Sequence, residues 1–135
     1  MALTYDQLAA GFEFPPGIFK LEAVRVTHFL RSVGDTSQVY QGSGLVPPMA
    51  IAAMAMTKLS ETVGLPPGSI HTSQELSFSG MTRLDDTLTS YAKISRAQKR
   101  GKFHMIAVDF DVRDQSQKTV LTGKTSFMLP QAGEL

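Results

Sequence analysis

The residues that follow Pro47 and Pro48 are Met49, Ala50, Ile51, Ala52, Ala53, Met54, Ala55 and Met56. A helix with no polar face over two turns belongs in a protein core. The run is far short of the roughly 20 apolar residues needed to cross a bilayer. Paired prolines suit a helix start, where the first N–H groups lack an intrahelical acceptor anyway. After Thr57 the pattern turns amphipathic, with Leu59 and Val63 apolar and Lys58, Ser60 and Glu61 polar. Gly64 stops the helix, and Pro66 and Pro67 prevent a restart. The rest of the chain has to cover this helix. Its first N–H groups, with the positive end of the helix dipole, can polarise a carbonyl oxygen in a low-dielectric interior. The plainer alternative is a core helix with a loop-capped end.

The segments around it fall into two kinds. From Glu22 to Val33 the apolar residues Val26, Phe29, Leu30 and Val33 recur at i, i+3, i+4 and i+7. That spacing predicts a helix with one buried face, capped by Gly34. Residues 1–10 read as a short helix or arm. Phe12–Phe14 and Ile18–Leu21 read as short extended pieces around a Pro15-Pro16-Gly17 turn. The second half alternates instead, over Ser73–Ser79, Thr87–Ser95, Phe103–Val112 and Thr119–Leu129. Polar turns are expected at Gln98–Gly101 and at Asp114–Gln117, so the strands form an antiparallel meander. Helices first and strands after give an α+β class, expected as one domain over residues 1–135.

The formal net charge of +1 argues against a nucleic-acid surface. Cysteine is absent, which excludes disulfides and thiol chemistry. His28, His71 and His104 are too far apart for metal-ligand spacing, so no metal is expected. The first residues lack the pattern of a signal peptide, and a cytoplasmic, non-membrane protein is the expectation.

Between the two helices lies Gly34-Asp35-Thr36-Ser37-Gln38-Val39-Tyr40. With "VTHFLRSVGD" before it, this stretch resembles the MaoC-like dehydratases and (R)-specific enoyl-CoA hydratases. The resemblance runs from about Leu21 to Leu129. It implies a hot dog fold, an antiparallel sheet of about five strands wrapped around one long central helix. Catalytic members carry an Asp, four intervening residues and a His within an Asn-Pro-x-His stretch. Asp35 falls on the Asp, Ser37, Gln38 and Val39 replace the Asn, the Pro and the residue after it, and Tyr40 stands where the His would be. The usual Ala-His-Gly at the helix entry is here Pro47-Pro48-Met49, and the loop Gln41–Val46 is short. A Tyr at that position is similar to the sub-branch of non-catalytic halves that pair with a catalytic one.

The resemblance implies an acyl thioester, on coenzyme A or an acyl carrier protein, as substrate and no cofactor. Asp35 would anchor or activate a water, Tyr40 would donate a hydrogen bond, and the N–H of Met49 or Ala50 would polarise the thioester carbonyl. A carboxyl titrates ordinarily near about 4 and a phenol near about 10, so neither replaces an imidazole as a proton shuttle. Asp35 as a turn residue and Tyr40 as a packing aromatic are the plainer alternatives. His71 and Gln74, at a strand start where some dehydratase halves carry such a pair, would line the pocket. Arg96, Lys99 and Arg100 would meet coenzyme A phosphates, or simply be solvated. Three functions remain open: a hydratase or dehydratase, a silent acyl-binding subunit, and an acyl-CoA thioesterase. In each the protomer is expected to pair with another hot dog protomer, as a homodimer or heterodimer.

Overall fold

The structure, a computed structural model, describes residues 5–131. In chain order it contains strand β1 (Gly17–Lys20), helix α1 (Ala23–Val33), helix α2 (Pro48–Val63) and strands β2 (Ile70–Phe78), β3 (Thr87–Arg100), β4 (Phe103–Arg113) and β5 (Thr119–Pro130). Single 3-10 turns occupy Tyr5–Gln7 and Gln38–Tyr40. The first falls within the segment expected as a short helix or arm, of which residues 1–4 lie outside the described residues. It is pinned by the Tyr5 hydroxyl, which donates to the Pro130 carbonyl.

Helix α1 ends in a Schellman cap. Gly34 takes φ 67°, its N–H donates to the Arg31 carbonyl, and the Asp35 N–H reaches back to Leu30. Only glycine adopts that left-handed conformation without strain. The cap turns the chain sharply out of the helix and delivers Asp35 at the start of the polar loop. At the other end of that loop Pro48 opens α2.

The sheet is antiparallel throughout, in the order β1-β3-β4-β5-β2. On β4 the side chains of Ile106, Val108, Phe110 and Val112 are buried beneath α2, which lays Ile51, Ala52, Ala55, Leu59 and Val63 against the sheet. The first half of α2 clusters with Phe110, Val112 and Leu121, and its second half with Ile106, Val108 and Phe127. Each of these larger aliphatic or aromatic side chains contributes roughly 1.5–3 kcal/mol by leaving water. The alternation in the second half of the sequence therefore reports the helix-facing side of the sheet.

Strand ends depart from the sequence expectation. β3 runs to Arg100, beyond the expected end at Ser95, and the connection to β4 is only Gly101 and Lys102. Residues Gln98–Arg100, expected in the turn, are paired with β4 through Arg100↔Phe103. The backbone ladder holds them extended although no side chain there is buried, so apolar alternation marks burial and not strand length. β2 likewise begins at Ile70, ahead of the expected Ser73.

α2 departs too. The sequence predicts burial on all sides, yet Met49 is 51% exposed and Ala53 is exposed as well. Met49, Ala53, Met56 and Ser60 follow at helical spacing on one side, and that side opens into a cavity.

One buried group lacks a partner. Thr82 is 1% exposed, and its hydroxyl meets no donor or acceptor among the described residues. Burying an unpaired hydroxyl costs about 1–3 kcal/mol. Thr82→Val keeps the shape and removes that penalty. Thermal unfolding should show a melting temperature raised by a few degrees, and a fall would mean that the hydroxyl is satisfied in solution.

Candidate active site

The bare side of α2, the end of α1, the connecting loop and the edge strand β2 line an open cavity of about 940 Å³. Its wall is mostly apolar, with Phe29, Ala53, Met56 and Phe127 among the lining residues. The polar side chains in it include Asp35, Tyr40, His71 and Gln74, and Met49 stands at the helix end. Five residues singled out from the sequence thus share one space, although they span forty positions and come from the connecting loop, α2 and β2.

Asp35 combines two of the readings open at the sequence level. Its Oδ1 accepts the Ser37 N–H at 2.9 Å, an Asx turn that shapes the loop. Its Oδ2 has no partner among the described residues, and the side chain lines the cavity, half-buried. Ser37 then caps the short turn through the Val39 N–H at 3.3 Å and so sets the position of Tyr40. The Tyr40 hydroxyl meets no partner among the described residues and lines the same cavity.

The helix end divides the two expected donors. The Ala50 N–H donates to the Pro47 carbonyl at 3.0 Å, so it is already engaged. Ala50 is also fully buried and does not line this cavity. This corrects the expectation for Ala50: a first-turn bond to the N-cap carbonyl takes up its proton. Pro48 has no N–H, and the Met49 N–H finds no acceptor among the described residues. Of the two expected donors, Met49 is the one whose backbone N–H is free among the described residues, and it lines the cavity.

His71 and Gln74 reach the cavity by a device absent from any residue pattern. In a regular strand, residues three apart point to opposite faces. Here the register shifts between His71 and Ser73, so that His71 pairs with Phe127 and Gln74 with Thr125. The bulge at Thr72 restores the phase and puts both side chains on the helix-facing side. The His71 ring stacks on Phe127 with centroids 5.0 Å apart, and its Nε2 lies 2.7 Å from the hydroxyl of the buried Thr125. Thr125 and Phe127 were expected to share a strand face; the contact to His71 was not predictable without the bulge.

The basic residues of β3 do not join them. Pairing with Ala107 and Phe103 sends Arg96 and Arg100 to the face opposite Ile106 and Val108. Both line a separate groove of about 520 Å³ with Lys124, and the Arg96 guanidinium donates to Gln98. Lys99, one residue out of phase, projects from the other face. Strand alternation thus separates Lys99 from Arg96 and Arg100, which share one groove. Among the described residues, no group of His, Asp and Glu side chains gathers to hold a metal ion, and no helix is long and apolar enough to cross a membrane.

Over residues 9–123 the sequence matches the FAS1-like dehydratase domain region. The chain belongs to that family. No curated protein is close enough in sequence to count as a relative. Among solved structures, the unliganded (R)-hydratase PhaJ1 from Pseudomonas aeruginosa is 21% identical, over 94% of this chain and 85% of that one, with a TM-score of 0.77. A MaoC-like dehydratase from Rhodospirillum rubrum is 19% identical over 96% and 98%, with a TM-score of 0.75. The C-terminally truncated HadBC complex, a 3R-hydroxyacyl-ACP dehydratase from Mycobacterium tuberculosis, is 14% identical over 89% and 96%, with a TM-score of 0.68. At such identities the likeness establishes the fold. It is the hot dog fold, and the hydratase/dehydratase family expected from the loop and helix is the right one.

Proposed function

We propose that this FAS1-like dehydratase-region protein adds water to, or removes it from, an acyl thioester held in the 940 Å³ cavity. One observation carries the reading: the residues that bear an unengaged carboxylate oxygen, an unengaged phenol and an unengaged backbone N–H line a single, mostly apolar cavity. The Met49 N–H, at the positive end of α2, takes the thioester carbonyl oxygen, whose negative charge grows as water adds. Asp35 holds the water by its unengaged oxygen, and Tyr40 donates to the same water or to the carbonyl. The apolar wall accepts the acyl chain. Hydration of crotonyl-CoA, followed by loss of enoyl absorbance, tests the proposal. Turnover is expected, and its absence under every pairing condition below sinks it.

The cavity itself is open to test. Ala53 lies on the open side of α2 and lines the wall. Ala53→Phe fills part of that space without touching the packed side. Crotonyl-CoA binding should weaken at least about tenfold, some 1.4 kcal/mol, at an unchanged melting temperature. Calorimetric titration reads the first and thermal unfolding the second.

A second reading is favoured by Tyr40 and by the sheet edge. β2 is an edge strand, and Ile70 and Phe78 on it are 51% and 40% exposed. An open edge with unpaired backbone groups invites a pairing strand. On this reading the chain is an acyl-binding protomer whose partner is another hot dog protomer carrying the complete Asp and His pair. It predicts that the protein alone binds crotonyl-CoA without turnover, and that turnover appears on mixing with such a partner.

A further inference from the structure

Resting on the hydratase/dehydratase reading above, we infer that His71, held by Thr125 and Phe127, is the group that moves the proton in this site. The loop position expected to do so holds Tyr40, and a phenol keeps its proton near neutral pH. Asp35 has one oxygen tied to the Ser37 N–H, and a carboxylate is a weak base in that range. His71 is the third and last titratable side chain among the described residues that line the cavity. Imidazole is the side chain whose ordinary titration suits proton transfer near neutrality.

The surroundings of His71 fit the task. A bulge turns its side chain to the cavity side, and stacking on Phe127 at 5.0 Å fixes the plane of the ring. The Thr125 hydroxyl, 2.7 Å from Nε2, is buried and can accept as well as donate. With Nε2–H donating to that oxygen, Nδ1 carries a lone pair in the neutral ring and a proton in the cation. The bond to Thr125 therefore survives the whole proton cycle. Thr125 is a positioning residue, and His71 is the catalytic one.

The step balances with water as the only co-reactant. In hydration the water oxygen bonds to the β-carbon of the enoyl thioester and gives one proton to Nδ1 of His71. The C=C pair moves through the α-carbon onto the thioester oxygen, at the Met49 N–H. As that pair returns, His71 delivers the proton to the α-carbon and is neutral again. Dehydration of the 3-hydroxyacyl thioester is the same sequence reversed.

Two variants test it. His71→Gln retains an N–H donor for Thr125 but cannot cycle a proton. Its kcat for crotonyl-CoA hydration should fall about 100-fold while KM and the affinity for crotonyl-CoA change less than about twofold. His71→Ala opens the site, and added imidazole should restore part of its rate, a rescue that no structural role would give. A glutamine variant within about threefold of wild type, in a wild type that turns over, overturns the inference and leaves the hydratase reading standing. A wild type inert alone and with a hot dog partner removes both.

Discussion

Gly123→Ala should lower the stability of this protein by about 3 kcal/mol, or roughly 10 °C in melting temperature. Gly123 lies in the helix-facing row of β5, between Leu121 and Thr125, both fully buried. It pairs with Leu76 on one side and Phe110 on the other. The Phe110 ring occupies the space a side chain would take. A Cβ built at Gly123 would lie 2.5 Å from the ring and 2.5 Å from the Glu75 carbonyl oxygen. The ring can rotate, but the Glu75 oxygen belongs to the neighbouring strand and cannot move without breaking the ladder. Replacing glycine elsewhere in a strand usually gains stability, because the unfolded chain loses freedom; here the clash outweighs that gain. Phe110→Leu in the same background should recover only part of the loss, since the carbonyl contact remains. An unchanged melting temperature for Gly123→Ala would falsify the close packing of Phe110 on β5.

Asp35→Asn should reduce crotonyl-CoA turnover by about 10²–10³-fold, the range for losing one positioned electrostatic group at a reacting centre. The substitution is selective. Asparagine keeps an Oδ1 that accepts the Ser37 N–H, so the turn and the Schellman cap before it stay intact. Only the charge, and the second acceptor oxygen facing the cavity, are lost. Binding of crotonyl-CoA and the melting temperature should stay within about twofold and about two degrees of wild type. Steady-state kinetics beside calorimetric titration separates these effects. Equal turnover in the variant and wild type would reduce Asp35 to a turn residue, the plainer of its two readings.

These predictions divide the molecule according to what its sequence reveals. The apolar run Met49–Met56, the stripe Val26, Phe29 and Leu30, and the alternation of Ile106, Val108, Phe110 and Val112 were enough to give helix, helix and sheet. Gly34 and Gly64 ended the helices as glycines in the left-handed region do. The turn at Asp114–Gln117 was legible because its residues prefer turns; Asp114 accepts the Ser116 and Lys118 N–H groups. The hairpin at Gly101 and Lys102 lies later than the residue types suggest, because polar strand ends look like loops when only side chains are read.

For the site, sequence supplied the residue types around Asp35 and Tyr40, through local spacing that any fold of this class must respect. It could not supply what depends on long-range pairing. The bulge at Thr72 is a property of two strands together, and without it His71 and Gln74 point opposite ways. Arg96 and Lys99 face opposite ways because β3 runs on through both, held extended by pairing with β4, and the engagement of the Ala50 N–H is set by the path of the chain at Pro47. Nor does composition say which side of an all-apolar helix is left bare, since that depends on where the sheet stops covering it. Hydrophobic periodicity and helix-ending residues act over a few positions and determined the elements of this protein. Cavity, facing and free donors are set by contacts between distant segments, and only the tertiary structure decided them.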